Sequence, residues 1–354
     1  MRLIEKVWFY QHPAKWLLVP LLLPLSALFW LLSALRRFSF TLGLSKSYQL
    51  SKPVIVVGNI GVGGNGKTPI VIYLVKLTRA LGFNPGVISR GYGGQAPHYP
   101  YLVTSDSTTA AAGDEPVLIQ QRCQVPVAVG SDRIASAELL IAQGCDIIIS
   151  DDGLQHYRLA RDIELIIVDG KRLFGNGLLL PAGPLREGQW RLAKSDLVIF
   201  NGKSSTHQAG SDTMDNDAKT TDKIPSAPLH MTLQATEVCH LLSGERLSLA
   251  KFVTLHGAVN AIAGIGAPQR FFDTLTDNNV QIITQQSFVD HHHFTRDDFH
   301  ALDDNIPLLM TEKDAVKCRD FGQENWWYLP VDATFSQAEQ QVLHDKVNML
   351  KLKY

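Results

Sequence analysis

One segment near residue 60 constrains the fold of this chain more than any other. It reads Val54-Ile-Val-Val-Gly-Asn-Ile-Gly-Val-Gly-Gly-Asn-Gly-Lys-Thr-Pro69 and contains the pattern Gly61-x-x-x-x-Gly66-Lys67-Thr68. An apolar β-branched run precedes the glycines and an apolar stretch of helical length follows them, which is the strand–loop–helix context of a P-loop. In such a loop, backbone N–H groups and the helix N-terminus face a polyphosphate. We therefore predict a nucleoside triphosphate site rather than a Gly-rich turn without function.

Two residues at the end of this loop have specific expected roles, and the whole loop is expected to contact the nucleotide. Lys67 is expected to reach the β- and γ-phosphates, and Thr68 is expected to offer its hydroxyl to Mg²⁺. No motif that reads a base is evident, so the pattern predicts a triphosphate and Mg²⁺ without selecting the nucleotide. The expected nucleotide contacts are Gly61, Val62, Gly63, Gly64, Asn65, Gly66, Lys67 and Thr68.

From residue 53 onward, apolar runs and helical segments alternate, as in a doubly wound α/β domain with a parallel sheet. A length of 354 residues suggests two domains. We assign 41–200 to a P-loop nucleotide-binding domain and 229–354 to a second, smaller α/β domain. Residues 201–228, rich in Ser, Thr, Asp and Lys, are expected to be a low-complexity linker or insertion. The expected strands of the first domain are Val54–Val57, Gly86–Ser89, Tyr101–Val103, Val125–Val129, Asp146–Ser150, Ile163–Val168 and Leu197–Phe200.

The N-terminal segment 1–40 is dominated by Trp16–Leu35, a run without a charged residue. As a helix it would be about 30 Å long, which matches the hydrocarbon core of a bilayer. It could span a membrane, lie in one leaflet or form a buried core helix. We favour attachment without full crossing, since Pro20 and Pro24 weaken a straight spanning helix and basic residues flank both ends. The globular part must meet a nucleotide, so we expect it in the cytoplasm.

Composition excludes few classes of protein. The formal net charge of −1 gives no reason to expect a nucleic-acid partner. The four cysteines, Cys123, Cys145, Cys239 and Cys318, are far apart and lack metal-binding spacing, so we expect reduced thiols.

Acidic residues follow two of the expected strands, where ligands of α/β sheets collect. Asp151 and Asp152 come directly after the run that ends at Ser150, as in a Walker B strand that holds Mg²⁺. The alternative is a turn or helix-capping role. Asp169 could be a second acid of the site or only a turn residue. Glu187 ends an apolar loop from Leu178 that could meet lipid or pack on the sheet.

Two further segments leave their role open on residues alone. In Gly113-Asp-Glu-Pro116, Asp114 is either a helix N-cap or a general base that takes a proton from a hydroxyl. In Asp290-His-His-His293, adjacent histidines cannot all face one ion from a regular element, so a zinc site is not expected. One histidine beside a catalytic carboxylate is the more economical interpretation. Thr311–Lys317 is either a capping cluster or a ligand contact.

Several of these segments together resemble one family, the tetraacyldisaccharide 4′-kinases of lipid A biosynthesis. Only the ordered set is specific, because no piece beyond the P-loop is. The matching segments are Val57-Gly-Asn-Ile, Val62-Gly-Gly-Asn-Gly-Lys-Thr-Pro69, Ser89-Arg-Gly-Tyr-Gly93, Gly113-Asp-Glu-Pro116, Gly130-Ser-Asp-Arg133, Asp151-Asp-Gly-Leu-Gln-His156, Leu180-Pro-Ala-Gly-Pro-Leu-Arg-Glu187, Asp290-His-His292 and Thr311-Glu-Lys-Asp-Ala315. One departure is Gly61, where the family more often has Ser or Thr.

The resemblance implies ATP-dependent phosphorylation of the 4′-hydroxyl of a tetraacyldisaccharide 1-phosphate at the cytoplasmic face of the bacterial inner membrane. It implies two α/β/α domains with a cleft between them, and no obligate protein partner is evident. Carried over by position, Asp114 resembles the base, paired with His291. Asp151, Asp152 and Glu187 resemble the acidic residues around Mg²⁺. A membrane-attached P-loop switch or chaperone without a small-molecule acceptor is the alternative.

Overall fold

Two sheets organise the chain in a computed structural model that describes residues 3–202 and 227–354. In the described residues one sheet has nine strands and the other has six. In chain order the strands are β1 (Val54–Gly58), β2 (Pro85–Ser89), β3 (Tyr101–Val103), β4 (Val127–Val129), β5 (Ile147–Ser150), β6 (Ile163–Asp169), β7 (Leu197–Asn201), β8 (Leu229–Gln234), β9 (Glu237–His240), β10 (Arg246–Ser248), β11 (Ala258–Ala263), β12 (Gln281–Ser287), β13 (Leu308–Thr311), β14 (Trp326–Leu329) and β15 (Asp332–Thr334).

Helices cover the sheets and form the N-terminus. The α-helices are α1 (Leu3–Phe9), α2 (Lys15–Thr41), α3 (Lys67–Ala80), α4 (Thr109–Ala112), α5 (Asp114–Cys123), α6 (Arg133–Ala142), α7 (Leu249–His256), α8 (Pro268–Asp277), α9 (Glu312–Cys318) and α10 (Gln337–Asn348). Short 3₁₀ helices lie at Gln189–Lys194, Arg296–Phe299, Arg319–Phe321 and Met349–Leu352.

The nine-stranded sheet has the order β15-β8-β7-β6-β1-β5-β2-β4-β3. Its pairs are parallel except at the two edges, where β3 and β15 run antiparallel to their neighbours. Strand β1 lies in the centre between β5 and β6, so the loops after these three strands meet at one edge of the sheet. This arrangement brings the P-loop segment next to the acidic strand ends.

Both faces of this sheet are covered, which explains why its strands are continuous apolar runs. Along β1, Ile55 and Val57 belong to one buried cluster with helices α3 and α5, while Val54 and Val56 belong to another cluster with helix α6. Alternate side chains of a strand point to opposite faces, so a fully apolar strand needs cover on both. The strands predicted between residues 53 and 201 are all present.

The six-stranded sheet has the order β10-β9-β14-β13-β11-β12 and is parallel from β14 to β12. The predicted α/β fold with a second, smaller α/β unit and an apolar N-terminal helix is therefore confirmed. The chain returns to the first sheet, however, because β8 and β15 pair within it. The predicted limits 41–200 and 229–354 separate segments that share one sheet, and they stay predictions. Of the predicted linker 201–228, residues 203–226 lie outside the described part.

Helix α2 is a single 27-residue helix that contains Pro20 and Pro24. By length and composition it could cross a membrane, with a mean hydropathy of 2.2 over its most apolar window, of which 6% is buried in the protein. Ser26 is its one buried residue in the structure described. A helix exposed to this extent is not a core helix of the fold, which removes one of the three interpretations drawn from the sequence.

Candidate active site

The loop from Gly61 to Thr68 connects the central strand β1 to helix α3, which begins at Lys67. Gly63 and Gly66 have φ angles of 111° and 90°, a region that residues with a Cβ rarely adopt. At Gly66 a Cβ would also lie 2.5 Å from Nδ2 of Asn201, and that amide donates to the carbonyl of Asn65 at 3.1 Å. Backbone conformation therefore favours glycine at both positions, and at Gly66 the side chain of Asn201 on β7 also leaves no room for a Cβ.

The loop from Leu178 to Glu187 contacts both this segment and helix α2. The backbone N–H of Val62 donates to the carbonyl of Pro184 at 2.9 Å. Farther along the same loop, Ser26 of α2 donates its hydroxyl to the carbonyl of Leu179 at 3.1 Å and accepts the N–H of Ala182 at 2.9 Å. The apolar loop from Leu178 thus packs between the exposed helix and the P-loop segment.

Asp151 lies at the end of β5 and is completely buried. Neither of its carboxylate oxygens has a hydrogen-bond partner among the described residues. Burial, followed by the nearby charge of Glu115, raises the pKa of Asp151 to about 7. Two unpartnered carboxylate oxygens are costly at a buried strand end unless a cation accompanies them, so the residue fits a site for a hard divalent ion.

Asp152 adopts a left-handed φ of 47°, which is uncommon outside glycine. This conformation turns its carboxylate toward two cations: Nζ of Lys67 lies 3.7 Å away and Nη1 of Arg186 lies 3.2 Å away. Burial opposes its ionisation, but the charges of Lys67 and Arg186 outweigh burial and hold the pKa of Asp152 below its ordinary value. The acidic pair and the loop lysine thus lie in one place, as the sequence predicted.

Glu187 is buried and already has several partners. Its carboxylate accepts from Nε2 of Gln155 at 3.0 Å and from the hydroxyl of Tyr157 at 2.7 Å, and Nε of Arg191 lies 3.4 Å away. These contacts provide donors for its oxygens without a metal ion. Asp169, at the end of β6, accepts through Oδ1 from the N–H groups of residues 171 and 172 and pairs with Arg270, while its buried Oδ2 has no hydrogen-bond partner among the described residues.

Asp114 and His291 lie together although Asp114 begins helix α5 beside the nine-stranded sheet and His291 follows β12 of the six-stranded sheet. Asp114 is the first residue of α5, and Gly113 takes the N-cap position that the sequence offered to Asp114. Nδ1 of His291 donates to Oδ2 of Asp114 at 3.0 Å. His291 has a left-handed φ of 60°, so its backbone is held in a strained conformation at this contact.

The surroundings of this pair determine its protonation. Burial opposes ionisation of Asp114, but the hydrogen bond from His291 and the charge of Lys313 outweigh it and lower the pKa of Asp114. The same hydrogen bond raises the pKa of His291. The pair therefore combines an ionised carboxylate with an imidazole that readily holds a proton, an arrangement suited to accepting a proton from a hydroxyl.

Sequence reasoning overlooked three contributors to the site. The ring of Tyr92 lies 5.1 Å from that of His291, centroid to centroid, Arg186 pairs with Asp152, and Lys313 lies beside Asp114. The motifs that contain them were recognised, but a motif does not tell which of its side chains points inward.

The three histidines diverge as predicted for adjacent residues. His291 meets Asp114, His292 stacks on Phe288 and pairs with Asp298 at 3.2 Å, and His293 is exposed. Across residues 3–202 and 227–354, no group of three or more His, Cys, Asp or Glu side chains is arranged to hold a metal ion.

A carboxylate–imidazole pair near a glycine-rich loop of this geometry suits the transfer of a phosphoryl group to a hydroxyl, and the fold and site define a nucleotide-dependent kinase. A profile described as tetraacyldisaccharide-1-P 4′-kinase matches residues 18–348. The chain therefore belongs to the tetraacyldisaccharide-1-P 4′-kinase family, and the resemblance drawn from its motifs is confirmed.

Individual relatives agree with this assignment. A tetraacyldisaccharide 4′-kinase of Colwellia psychrerythraea is 72% identical over 349 residues, which are 99% of this chain and 98% of the relative. The corresponding protein of Histophilus somni is 49% identical over 333 residues, 94% of each chain. A crystal structure of LpxK from Aquifex aeolicus in complex with ATP has a TM-score of 0.73 and 26% identity, covering 94% of this chain and 99% of that one. The alternative of a switch or chaperone without an acceptor is not favoured.

Proposed function

We propose that this protein transfers the γ-phosphoryl group of ATP to the 4′-hydroxyl of a tetraacyldisaccharide 1-phosphate at the cytoplasmic face of the bacterial inner membrane. Family membership supports the reaction, and the 3.0 Å contact between Asp114 and His291 carries the assignment of its base. In the reaction the bond from the γ-phosphorus to the β,γ-bridging oxygen breaks as the bond to the sugar oxygen forms. The hydroxyl proton passes to Asp114.

The residues of this chain have separate tasks in that reaction. The N–H groups of Gly63–Gly66 and the ammonium of Lys67 bind the phosphates of ATP and offset their charge, whereas the N–H of Val62 is already donated to Pro184. His291 orients the carboxylate of Asp114 and stabilises its ionised form through the hydrogen bond. Together these groups align the hydroxyl and the phosphate, which contributes more to phosphoryl transfer than covalent chemistry does.

We assign the Mg²⁺ site to Thr68, Asp151 and Asp152, with Glu187 at its margin. The unpartnered oxygens of Asp151 support this assignment. Glu187 has three donors of its own, which supports a part in holding the neighbouring side chains. When bound, Mg²⁺ would neutralise charge on the phosphate oxygens.

We also propose that helix α2 attaches the protein to the membrane. Its exposed apolar residues support this, among them Leu21 at 67% and Leu28 at 52% exposure. Replacing both by Glu should abolish co-sedimentation with phosphatidylethanolamine–phosphatidylglycerol vesicles. Unchanged sedimentation would contradict attachment through this helix. A C-terminal tag should be protected from protease in intact spheroplasts, and cleavage there would contradict the cytoplasmic location.

The central test is transfer of radiolabelled γ-phosphate from ATP to a tetraacyldisaccharide 1-phosphate. Wild-type protein should label the lipid, and Lys67→Ala should not. Lys76→Ala is the matched control, because Lys76 lies on the same helix α3 but is exposed, and its ion-pair partner among the described residues is Asp332. ATP hydrolysis without any lipid labelling by the wild type would refute the proposed function and favour a switch.

A further inference from the structure

The segment Thr311-Glu-Lys-Asp-Ala315 has no task in the reaction as described so far, yet it is held rigidly beside the site. It joins strand β13 to helix α9. The hydroxyl of Thr311 caps α9 by accepting the N–H of Asp314 and donates to Oδ2 of Asp314 at 2.6 Å. The same carboxylate oxygen accepts the N–H of Gly264 at 2.8 Å. These bonds fix the backbone on both sides of Lys313.

From this position the ammonium of Lys313 meets three carboxylates. It donates to Oε1 of Glu115 at 3.1 Å and to Oδ1 of Asp290 at 3.4 Å, and it lies 3.7 Å from Oδ2 of Asp114. The Lys313 side chain is 18% exposed, so solvent screens these charges weakly. Asp114 and Glu115 begin helix α5 beside the first sheet, whereas Asp290 and Lys313 belong to the chain of the second sheet.

Three carboxylates this close to one another repel each other unless a cation lies among them. The ring of His291 donates to Asp114 at 3.0 Å and its backbone N–H donates to Asp290 at 3.1 Å, but none of these contacts includes Glu115. The charge of Lys317 also lowers the pKa of Asp114, but its ammonium lies 2.8 Å from Asp314 and over the ring of Phe294. Lys313 is therefore the cation placed to balance Asp114, Glu115 and Asp290 together.

We propose that Lys313 is a positioning residue for the reaction. Its ammonium holds the Asp114 carboxylate ionised and in place for the hydrogen bond from His291, and it links the start of helix α5 to the loop after β12. This inference rests on the proposed function. Lys313 reaches neither the P-loop nor Asp151 by any contact within the described chain. It therefore acts on the base and leaves nucleotide binding alone.

The direction of the pH effect follows from the groups that face Asp114, which are His291, Lys313, Lys317, Glu115 and Asp290. Lys313 lowers the pKa of Asp114, and it also lowers the pKa of His291. Removing the charge of Lys313 therefore raises the pKa of Asp114 and the pKa of His291. Since the reaction needs the ionised carboxylate, the acidic limb of the rate profile must then move to higher pH.

The test compares kcat and kcat/KM for lipid phosphorylation across a pH series in wild type, Lys313→Met and Lys313→Arg. In Lys313→Met the acidic limb should move upward by about one pH unit, and kcat should fall by roughly tenfold or more, with the KM for ATP unchanged. Lys313→Arg keeps the charge and should keep the wild-type limb. Lys251→Met replaces an exposed lysine of helix α7. It is the control for the effect of a Lys-to-Met substitution outside the site.

A buried cluster that loses its cation can also lose stability, so Lys313→Met combined with Glu115→Gln provides a folded variant with one charge of each sign removed. Melting curves identify which variants are folded. Folded Lys313→Met with the wild-type acidic limb overturns the inference, as does an Arg variant whose limb has moved like that of Met. In the double variant the two charge losses offset each other on the acidic limb, but the link made by the ammonium is still lost, so a folded double variant with wild-type kcat also overturns the inference. These outcomes need an active wild type, whereas failure of the proposed function would appear as wild-type protein that labels no lipid.

Discussion

Asp114 and His291 make a 3.0 Å hydrogen bond across 177 positions of sequence and between two sheets. The bond exists only because α5 and the loop after β12 face each other. Each residue is held by its own part of the chain, Asp114 at a helix start and His291 in a left-handed backbone conformation. The proposed base is thus assembled by the packing of the two α/β units.

Loss of either member of this pair should affect the chemical step. In Asp114→Asn or His291→Ala we expect kcat for lipid phosphorylation to fall roughly a hundredfold to ten-thousandfold, because no carboxylate is positioned to accept the proton. The KM for ATP should stay near that of the wild type. Steady-state kinetics with varied ATP test this, and His293→Ala, which removes the exposed neighbour, is the control. A large rise in the KM for ATP with unchanged kcat would show that the pair serves nucleotide binding instead.

Asp151 should make the metal-free protein less stable as the pH rises. Its pKa is raised to about 7 in the fold, whereas an unfolded Asp titrates near pH 4, so the folded state binds the extra proton between these values. Stability therefore falls from about pH 4 to about pH 7. Mg²⁺ should raise the melting temperature by roughly 3 °C or more at pH 8 and less at pH 5.

Asp151→Asn removes this charge, so the variant should melt above wild type at pH 8 without Mg²⁺ and respond little to the ion. Thermal melting with and without Mg²⁺ measures both effects. Asp277→Asn, at an exposed position of α8, is the control and should behave like the wild type. Full Mg²⁺ stabilisation in Asp151→Asn would contradict the assignment of this residue to the metal site.

Ser26 should hold the exposed helix α2 to the loop that supports the P-loop segment. Ser26→Val leaves the N–H of Ala182 without its acceptor, which costs about 1–3 kcal/mol for a buried donor. We expect faster hydrogen exchange in the loop from Leu178 to Glu187 and a lower kcat/KM for ATP. Ser33→Val on the same helix is the control. Unchanged exchange at Ala182 would mean that the helix is held by other contacts.

Gly266 should be needed because the second α/β unit approaches the P-loop segment at this point. A Cβ on Gly266 would lie 3.3 Å from the backbone nitrogen of Gly64 and 3.2 Å from Oδ2 of Asp290. The larger side chain in Gly266→Val should separate the two units and lower kcat/KM for ATP by roughly tenfold or more. Ala250→Val, at an exposed site on α7, tests added bulk alone. Wild-type kinetics in Gly266→Val would show that the active conformation does not need the close approach of Gly266 to Gly64.

The strands and the loop at the centre of the protein were predictable from sequence for a local reason. A β-branched apolar run predicts a strand that is covered on both faces. Glycines at fixed spacing before Lys67 and Thr68 predict a phosphate-binding turn. Asp151 and Asp152 were predicted for a local reason too, because they directly follow the apolar run that forms β5. Strands β8, β9, β10 and β15 were not predicted, since β8 is only partly buried, the other three have three or four residues each, and none of them carries a strong pattern.

The sequence by itself determined the α/β class, the glycine-rich loop between β1 and α3, and the family. It did so because these depend on periodicity, on glycine conformation and on an ordered set of motifs. The tertiary structure alone decided that Asp114 meets His291 and Lys313, that Arg186 and Lys67 share Asp152, and that the chain returns to its first sheet at β8 and β15. The physical reason is that such contacts join residues far apart in the chain, and only the packing of complete sheets and helices sets their distances.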